Sequence, residues 1–347
     1  MKALLKFAKG KGNVVLQEVP KPIPGEGEAL IKVQVAGVCG TDIHIYHDRF
    51  SSTPPVILGH EFSGIIEHLG PGVKTFQIGD RVVSENNPFA CGNCRICSLG
   101  YPNLCPQKKA MGIQSHGCFA DYVKLSTNLL HRIPENISYE EAALTEPLAV
   151  SVHAVSERCG VKAGDAVVVF GPGAIGLLAA QVARVEGADR VLLVGTSQDE
   201  KIRFPCAHNL GINTLNIENE DWEEKVIELT GGVGCDVIVE ASGNKMAITE
   251  GVELLRKNGR MAVIGITGQR GISLDWDRMV AKGLSIFFAY SSRKPDWQKA
   301  LQFLGEGKVK TLPLITHRFR IEEWKQAFSA LGTMQAIRPV FLMEAAK

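Results

Sequence analysis

Two short stretches carry residue types that do chemistry when brought together. The first is Cys39-Gly40-Thr41-Asp42-Ile43-His44, the second Gly59-His60-Glu61. A thiolate, an imidazole and a carboxylate suit an open zinc site, which needs a few protein ligands and one free position. The Thr41 hydroxyl and the His44 imidazole follow the thiolate closely, as a proton relay requires. The same residues would also serve as a buried thiol beside a solvated His-Glu pair. Features further along the chain decide for the metal.

Cys91-Gly92-Asn93-Cys94-Arg95-Ile96-Cys97 is followed eight residues on by Cys105. Four thiols at this spacing close on one tetrahedral zinc, and a closed shell leaves no position for substrate, so this site is structural. An iron–sulfur cluster also accepts four thiolates; zinc is the preferred occupant. Ala166-Val167-Val168-Val169-Phe170 has the apolar continuity of a strand buried on both faces. It runs into Gly171-Pro172-Gly173-Ala174-Ile175-Gly176 and then into helical composition. G-x-G-x-x-G between a strand and a helix lets backbone approach a pyrophosphate at the helix N-terminus. Gly171, Gly173, Ala174, Ile175 and Gly176 are thus expected to touch a dinucleotide. The next strand ends in Gly195-Thr196-Ser197-Gln198, without the acid that ordinarily binds the 2′-hydroxyl of NAD. Thr196 and Ser197 offer donors to a 2′-phosphate, and Lys201 or Arg203 offers charge, so NADP is slightly favoured over NAD. The alternative gives the ribose contact to Asp199 or Glu200.

The elements that must position these groups differ between the two halves. A chain of 347 residues favours two domains. Residues 1 to 85 read as short strands broken by Gly and Pro: 29–35 alternates, 63–68 follows the His-Glu pair, and Gly79-Asp80 turns into 81–83. A strand is expected over 117–125. Glu146 precedes Pro147, either as a helix-start residue or as a second carboxylate for the metal. From about residue 150 strands and helices alternate: strands at 190–194, 236–240 and 260–264, helices at 223–230 and 246–256. That pattern gives a doubly wound parallel sheet. Pro205 delays the helix after the second strand to about Arg203. Two helices (296–305 and 321–331) and a strand at 337–342 form a tail that returns to the first domain.

Composition limits the function classes. Apolar residues make up 45% and charged residues 22%, as in ordinary globular proteins. A net charge of +1 argues against a nucleic-acid or anionic-membrane partner. No apolar run approaches the ~18 residues of a membrane span. Residues 1 to 19 are interrupted by Lys2, Lys6, Lys9 and Lys11, unlike a signal-peptide core. A cytoplasmic protein is expected. Nine cysteines without a secretion signal do not suggest disulfides, and Cys118, Cys159, Cys206 and Cys235 read as space-filling thiols.

Taken together, the Gly59-His60-Glu61 motif with Gly64 and Gly70, the four-cysteine lobe and the fingerprint at Gly171, Gly173 and Gly176 resemble the zinc-dependent medium-chain alcohol dehydrogenases. Cys39 to His44, Glu146-Pro147-Leu148 and Leu314 to Phe319 resemble the sorbitol (L-iditol) and threonine dehydrogenase branch. The resemblance implies an α/β protein with a GroES-like β-rich catalytic domain (1–148 and 289–347) and a Rossmann domain (149–288). It implies two zincs per chain. Cys39 and His60 bind the catalytic zinc, and Glu61 and Glu146 share the remaining protein positions, one directly and the other directly or through water. Thr41 receives the substrate proton, and His44 passes it to solvent. The reaction implied is hydride transfer between a secondary alcohol, a polyol or sugar alcohol, and NAD(P), in a homo-oligomer, either a tetramer or a dimer, with the tetramer favoured. L-threonine 3-dehydrogenase-like oxidation is the alternative within enzymes. A non-catalytic zinc- and nucleotide-binding protein, or a zinc-ribbon nucleic-acid binder, belongs to another class. The chain departs from sorbitol dehydrogenases at Phe287-Phe288-Ala289-Tyr290, which lacks an Arg; either Arg293 substitutes from further along or the pocket prefers a less polar alcohol. It departs again at Ile45, which stands at the position of the family's pocket Tyr, with Tyr46 next to it.

Overall fold

Alternating and apolar runs pair into three sheets in the computed structural model, which describes residues 1–219 and 221–343. Residues 344–347 of the expected tail domain lie outside the described residues.

The chain forms two units. The first comprises Met1–Glu146, Ser292–Gly305 and the chain from Leu314 onward; the second comprises Pro147–Ser291 and Glu306–Pro313. The first boundary falls two residues before the expected 148, and 289–291 and 306–313 group with the second unit. The reason for the second segment is local. The Gln181 side chain accepts the Lys310 N–H (2.8 Å) and donates to the Lys310 carbonyl (3.1 Å), and the Cys206 thiol donates to the Pro313 carbonyl.

In the first unit β1 (Lys2–Lys6) pairs with β2 (Val14–Glu18). Next come β3 (Glu28–Gly37), the short helix α1 (Gly40–Tyr46), β4 (Val56–Ile57), β5 (Glu61–Leu69), β6 (Arg81–Ser84), α2 (Arg95–Ser98), β7 (Tyr122–Ser126) and β8 (Leu130–Arg132). β3 is the hub, antiparallel to both β5 and β7. The strand expected at 117–125 begins only at Tyr122, because Gly117, Cys118 and Phe119 bond instead to the chain at 57–59. α3 (Tyr139–Ala143) is started by Ser138, whose hydroxyl accepts the Glu141 N–H. α4 (Thr145–Val152) follows and carries Glu146 in its first turn.

The second unit runs β9 (Ala166–Phe170), α5 (Ala174–Val185), β10 (Arg190–Gly195), α6 (Arg203–Asn209), β11 (Asn213–Asn216), α7 (Trp222–Leu229), β12 (Cys235–Glu240), α8 (Lys245–Leu254), β13 (Leu255–Val263), α9 (Trp276–Lys282) and β14 (Ser285–Phe288). All six strands are parallel, in the order β11-β10-β9-β12-β13-β14. This is the doubly wound order, which reverses direction between β9 and β12. β9 is buried along its whole length, as its apolar run predicts. α6 begins at Arg203, with Pro205 in the first turn, where backbone N–H groups have no helical acceptor.

The tail contributes α10 (Lys294–Gly305), β15 (Arg318–Phe319), α11 (Trp324–Gly332) and β16 (Val340–Leu342). β16 pairs with β3, and Phe341 sets its ring edge-on to Phe119 at 5.0 Å, both rings fully buried. The tail therefore closes the core of the first unit rather than decorating it. Phe341→Ala should cost about 3–5 kcal/mol, read as a lower urea midpoint; an unchanged midpoint would show that the tail packs on a core already complete.

Candidate metal and dinucleotide sites

α1 places the first ligand. Cys39 precedes the helix, and its N–H is held by the Asp42 carboxylate at 2.9 Å, a bond that fixes the entry angle of the chain. Thr41 lies in the first turn, its hydroxyl 3.7 Å from the Cys39 sulfur. His44, in the last turn, is exposed. His60 and Glu61 enter from the start of β5, and the ligand atoms of Cys39, His60 and Glu61 all lie within 4.8 Å of one another. Glu146 does not join that set; the Asn86 amide holds its carboxylate at 2.5 Å.

The electrostatics show what these groups lack. Asp42, His60, Glu61 and Glu146 are all buried. His60 Nδ1, Asp42 Oδ1 and both Glu61 carboxylate oxygens have no hydrogen-bond partner. Burial disfavours a charged His60, but the Asp42 carboxylate and the Cys39 thiol outweigh it and hold the imidazole well above its ordinary pKa. Burial, then repulsion from Glu61, pushes Glu146 up to about 7. Asp42 is likewise raised, by burial. Arg338, from the chain entering β16, stands 3.1 Å from Glu61 and donates to the Val38 carbonyl. One guanidinium faces several anionic groups. Buried polar atoms in natural folds find partners, and a divalent cation among the thiol, imidazole and carboxylate supplies the missing one. The 3.7 Å approach of Asp42 to His60 Nδ1 fits a carboxylate that orients a metal-binding imidazole.

The four-cysteine lobe fits zinc by its sulfur spacing. Cys91 lies 3.6 Å from Cys105 and 4.0 Å from Cys97, and all four sulfurs fall within 4.8 Å of one another. Sulfurs about 2.3 Å from a tetrahedral zinc sit roughly 3.8 Å apart. The Cys97 N–H lowers the Cys94 thiol, whereas desolvation and its sulfur neighbours push Cys97 up to about 12. Crowded thiols resist ionising together unless a cation joins them. Burial raises Cys159 and Cys235 to about 12 and Cys206 to about 11, in keeping with space-filling thiols.

In the second unit the fingerprint sits where the sheet reverses. A Cβ on Gly171 would lie 2.9 Å from Ser242, and one on Gly176 only 1.9 Å from the Gly171 carbonyl oxygen, while the space beside Gly173 is open. Two glycines close the turn and the third leaves a cradle that a side chain would fill, as a pyrophosphate requires. Ala174 and Ile175 begin α5, with their N–H groups at its N-terminus. At the end of β10, Gly195 has no room for a Cβ, which would lie 2.7 Å from Asp199 Oδ2. That carboxylate accepts the Thr196 N–H at 2.9 Å and pairs with Arg203 at 2.9 Å. The Ser197 N–H donates to Glu218 (3.1 Å), and its hydroxyl accepts from Asn216 (3.1 Å). Thr196 and Ser197 thus follow the end of β10 with their N–H groups bonded to Asp199 and Glu218, and the charge of Arg203 is engaged by Asp199.

Two substitutes considered for the substrate pocket have other work. Ile45 is fully buried, and Tyr46 packs edge-on against Trp324 and Phe328. Arg293 lies 3.7 Å from Asp296 and over the Tyr101 ring. Sequence reasoning passed over Asp42, Asn86 and Arg338. The three-residue spacing from Cys39 to Asp42 is a capping signal that would have found the first; nothing local marks the other two.

A convergent thiol–imidazole–carboxylate cluster, a four-thiol lobe and a glycine cradle on a doubly wound sheet together define a zinc-binding dehydrogenase, and the chain belongs to the zinc-dependent medium-chain alcohol dehydrogenase family. Residues 25–135 match the alcohol dehydrogenase GroES-like domain, and residues 174–306 the zinc-binding dehydrogenase family. The chain is 42% identical to a sorbitol dehydrogenase of Halalkalibacterium halodurans over 97% of this chain and 98% of the relative. It is 34% identical to a D-arabitol-phosphate dehydrogenase of Enterococcus avium, over 94% and 93%. A solved zinc-binding dehydrogenase from Sinorhizobium meliloti, bound to NADP, superposes with a TM-score of 0.91 at 29% identity, covering 98% of each chain.

Two substitutions separate the sites. Cys97→Ser should lower zinc from two per chain to one by elemental analysis; two retained zincs would mean the lobe is not a metal site. Gly176→Ala should leave zinc at two yet weaken dinucleotide binding by at least about tenfold; unaltered binding in a calorimetric titration would remove the loop from the cofactor site.

Proposed function

We propose that this protein oxidises a secondary alcohol of a polyol or sugar alcohol, with NAD(P) as hydride acceptor and NADP slightly favoured. The observation that carries the reading is the convergence of the half-buried Cys39 and the buried His60 and Glu61 on one point, with Thr41 on the same short helix as the exposed His44. Bound there, zinc would supply Lewis acidity toward the alcohol oxygen, and a bound dinucleotide would supply the hydride acceptor. The protein's own groups do the rest. Cys39, His60 and Glu61 would hold the metal, with Glu146 at the remaining position directly or through water. Asp42 orients His60. Thr41 accepts the hydroxyl proton, and His44 releases it to water. Cys91, Cys94, Cys97 and Cys105 hold a second, structural zinc.

The polyol assignment is supported by the likeness to the sorbitol and D-arabitol-phosphate dehydrogenases. The NADP preference is supported by the missing strand-end acid, by Ser197, and by the NADP-bound relative. A cytoplasmic location suits a dinucleotide-linked reaction and nine free cysteines. We read the protein as a homo-oligomer, a tetramer before a dimer. β14 is an edge strand, and Phe288, Trp276 and Val280 near it expose large apolar surface, the kind of surface a second copy covers.

The deciding measurement is the initial rate of nicotinamide reduction with sorbitol, D-arabitol phosphate and L-threonine, each with NAD⁺ and NADP⁺. Turnover of a polyol supports the reading; turnover of threonine alone would replace it. Cys39→Ala should abolish turnover, and undiminished activity would sink the ligand assignment. His44→Ala should slow turnover by at most about 10²-fold, with rescue by small imidazole-like bases in the assay buffer.

A further inference from the structure

One buried charge has no part in the chemistry above. Glu240 ends β12 and is fully buried. Its Oε1 accepts three hydrogen bonds, from the Ser242 N–H (2.8 Å), the Ser242 hydroxyl (2.5 Å) and the Gly243 N–H (2.8 Å). Its Oε2 has no hydrogen-bond partner. Among the described residues no cation forms an ion pair with it. Three donors on one oxygen are satisfied equally well by the carbonyl of a glutamine, so this turn needs an acceptor and not a charge. A carboxylate buried without a cation works against folding. Ionisable groups held in such places are candidates for function.

Its position says which function. The Ala241 N–H donates to the Phe170 carbonyl, joining the ends of β12 and β9, and Gly171 of the phosphate loop packs against Ser242. Glu240 therefore stands one strand from the loop, on the side away from β10 and β11. A dinucleotide lies across the point where strand order reverses, with its adenosine end at the strand corresponding to β10. The β12 side receives the nicotinamide half.

We propose that Glu240 supplies the negative charge that favours the oxidised nicotinamide ring, which is positively charged, over the reduced ring, which is not. The proposal rests on the dinucleotide reading given above. Coulomb attraction from a carboxylate shielded from water acts on the oxidised ring and has no counterpart in the reduced one. Hydride transfer cancels the attraction as the alcohol loses a hydride and a proton and the ring gains the hydride. Glu240 thus favours entry of the oxidised cofactor and departure of the reduced one, and acts as a positioning charge without touching the reacting atoms.

The test is a set of dissociation constants on the zinc-loaded protein for ADP and for the oxidised and reduced forms of the preferred dinucleotide. If the unaltered protein binds none of them, the dinucleotide reading itself is wrong. If it binds them, Glu240→Gln should weaken the oxidised form about three- to tenfold, with ADP and the reduced form within about twofold. Glu240→Asp, which keeps the charge, should retain the preference even where it loosens both forms. An oxidised-to-reduced ratio that Glu240→Gln leaves unchanged overturns the proposal, whether both forms weaken or neither does. Should Glu240→Gln fail to fold, loss of the preference in Glu240→Asp overturns it as well.

Discussion

Everything in the first unit serves one electrostatic demand: several ionisable groups are buried together with too little positive charge among them. Asp42, Glu61 and Glu146 are all shielded from water, and Arg338 faces them from the far end of the chain. Removing one charged partner from such a cluster leaves the others uncompensated, which is far more costly than never burying them. The fold answers by rigidity. Cys39 is locked by Asp42, Glu146 by Asn86, and Glu61 lies on the strand that pairs most extensively with β3. The cluster is thus held open for a cation that the polypeptide itself does not provide.

The second unit solves the opposite problem, the approach of a polyanion, and does so with backbone instead of side chains. Its phosphate loop carries no charged residue. Close packing of Gly171 on Ser242 and of Gly176 on the Gly171 carbonyl sets the turn, and the start of α5 presents N–H groups. The end of β10 is different: there a network of Asp199, Arg203, Ser197, Asn216 and Glu218 is already hydrogen-bonded within the protein. Selectivity at that end depends on which of these bonds a ribose or its phosphate displaces.

The sequence made legible what depends on local spacing. The lobe cysteines, the glycine fingerprint, the apolar run of β9 and the delay of α6 by Pro205 all follow from residues close in the chain, and the structure has each of them. Cys39, His60 and Glu61 were also readable, because a short helix and one strand bring them together. What escaped depends on distance. Arg338 reaches Glu61 across nearly the whole chain, and no periodicity announces such a pair. The engagement of Arg203 by Asp199 was equally hidden, since a cation four residues from an acid reads alike whether it faces a partner or a ligand. The surroundings of Tyr46 were hidden for a related reason: its neighbours Trp324 and Phe328 belong to the tail.

The segment 306–313 has a consequence for how the protein is made. The chain leaves the second unit after Ser291, returns at Glu306, and leaves again after Pro313. During synthesis from the N-terminus, β3 waits for its partner β16 until Val340 has left the ribosome. The second unit likewise waits for Lys310 to reach Gln181. Neither half is therefore a vectorial folding unit. The nascent chain must carry an unpaired strand edge until β16 emerges, and excision of residues 147–291 alone would leave Gln181 without the backbone it clasps.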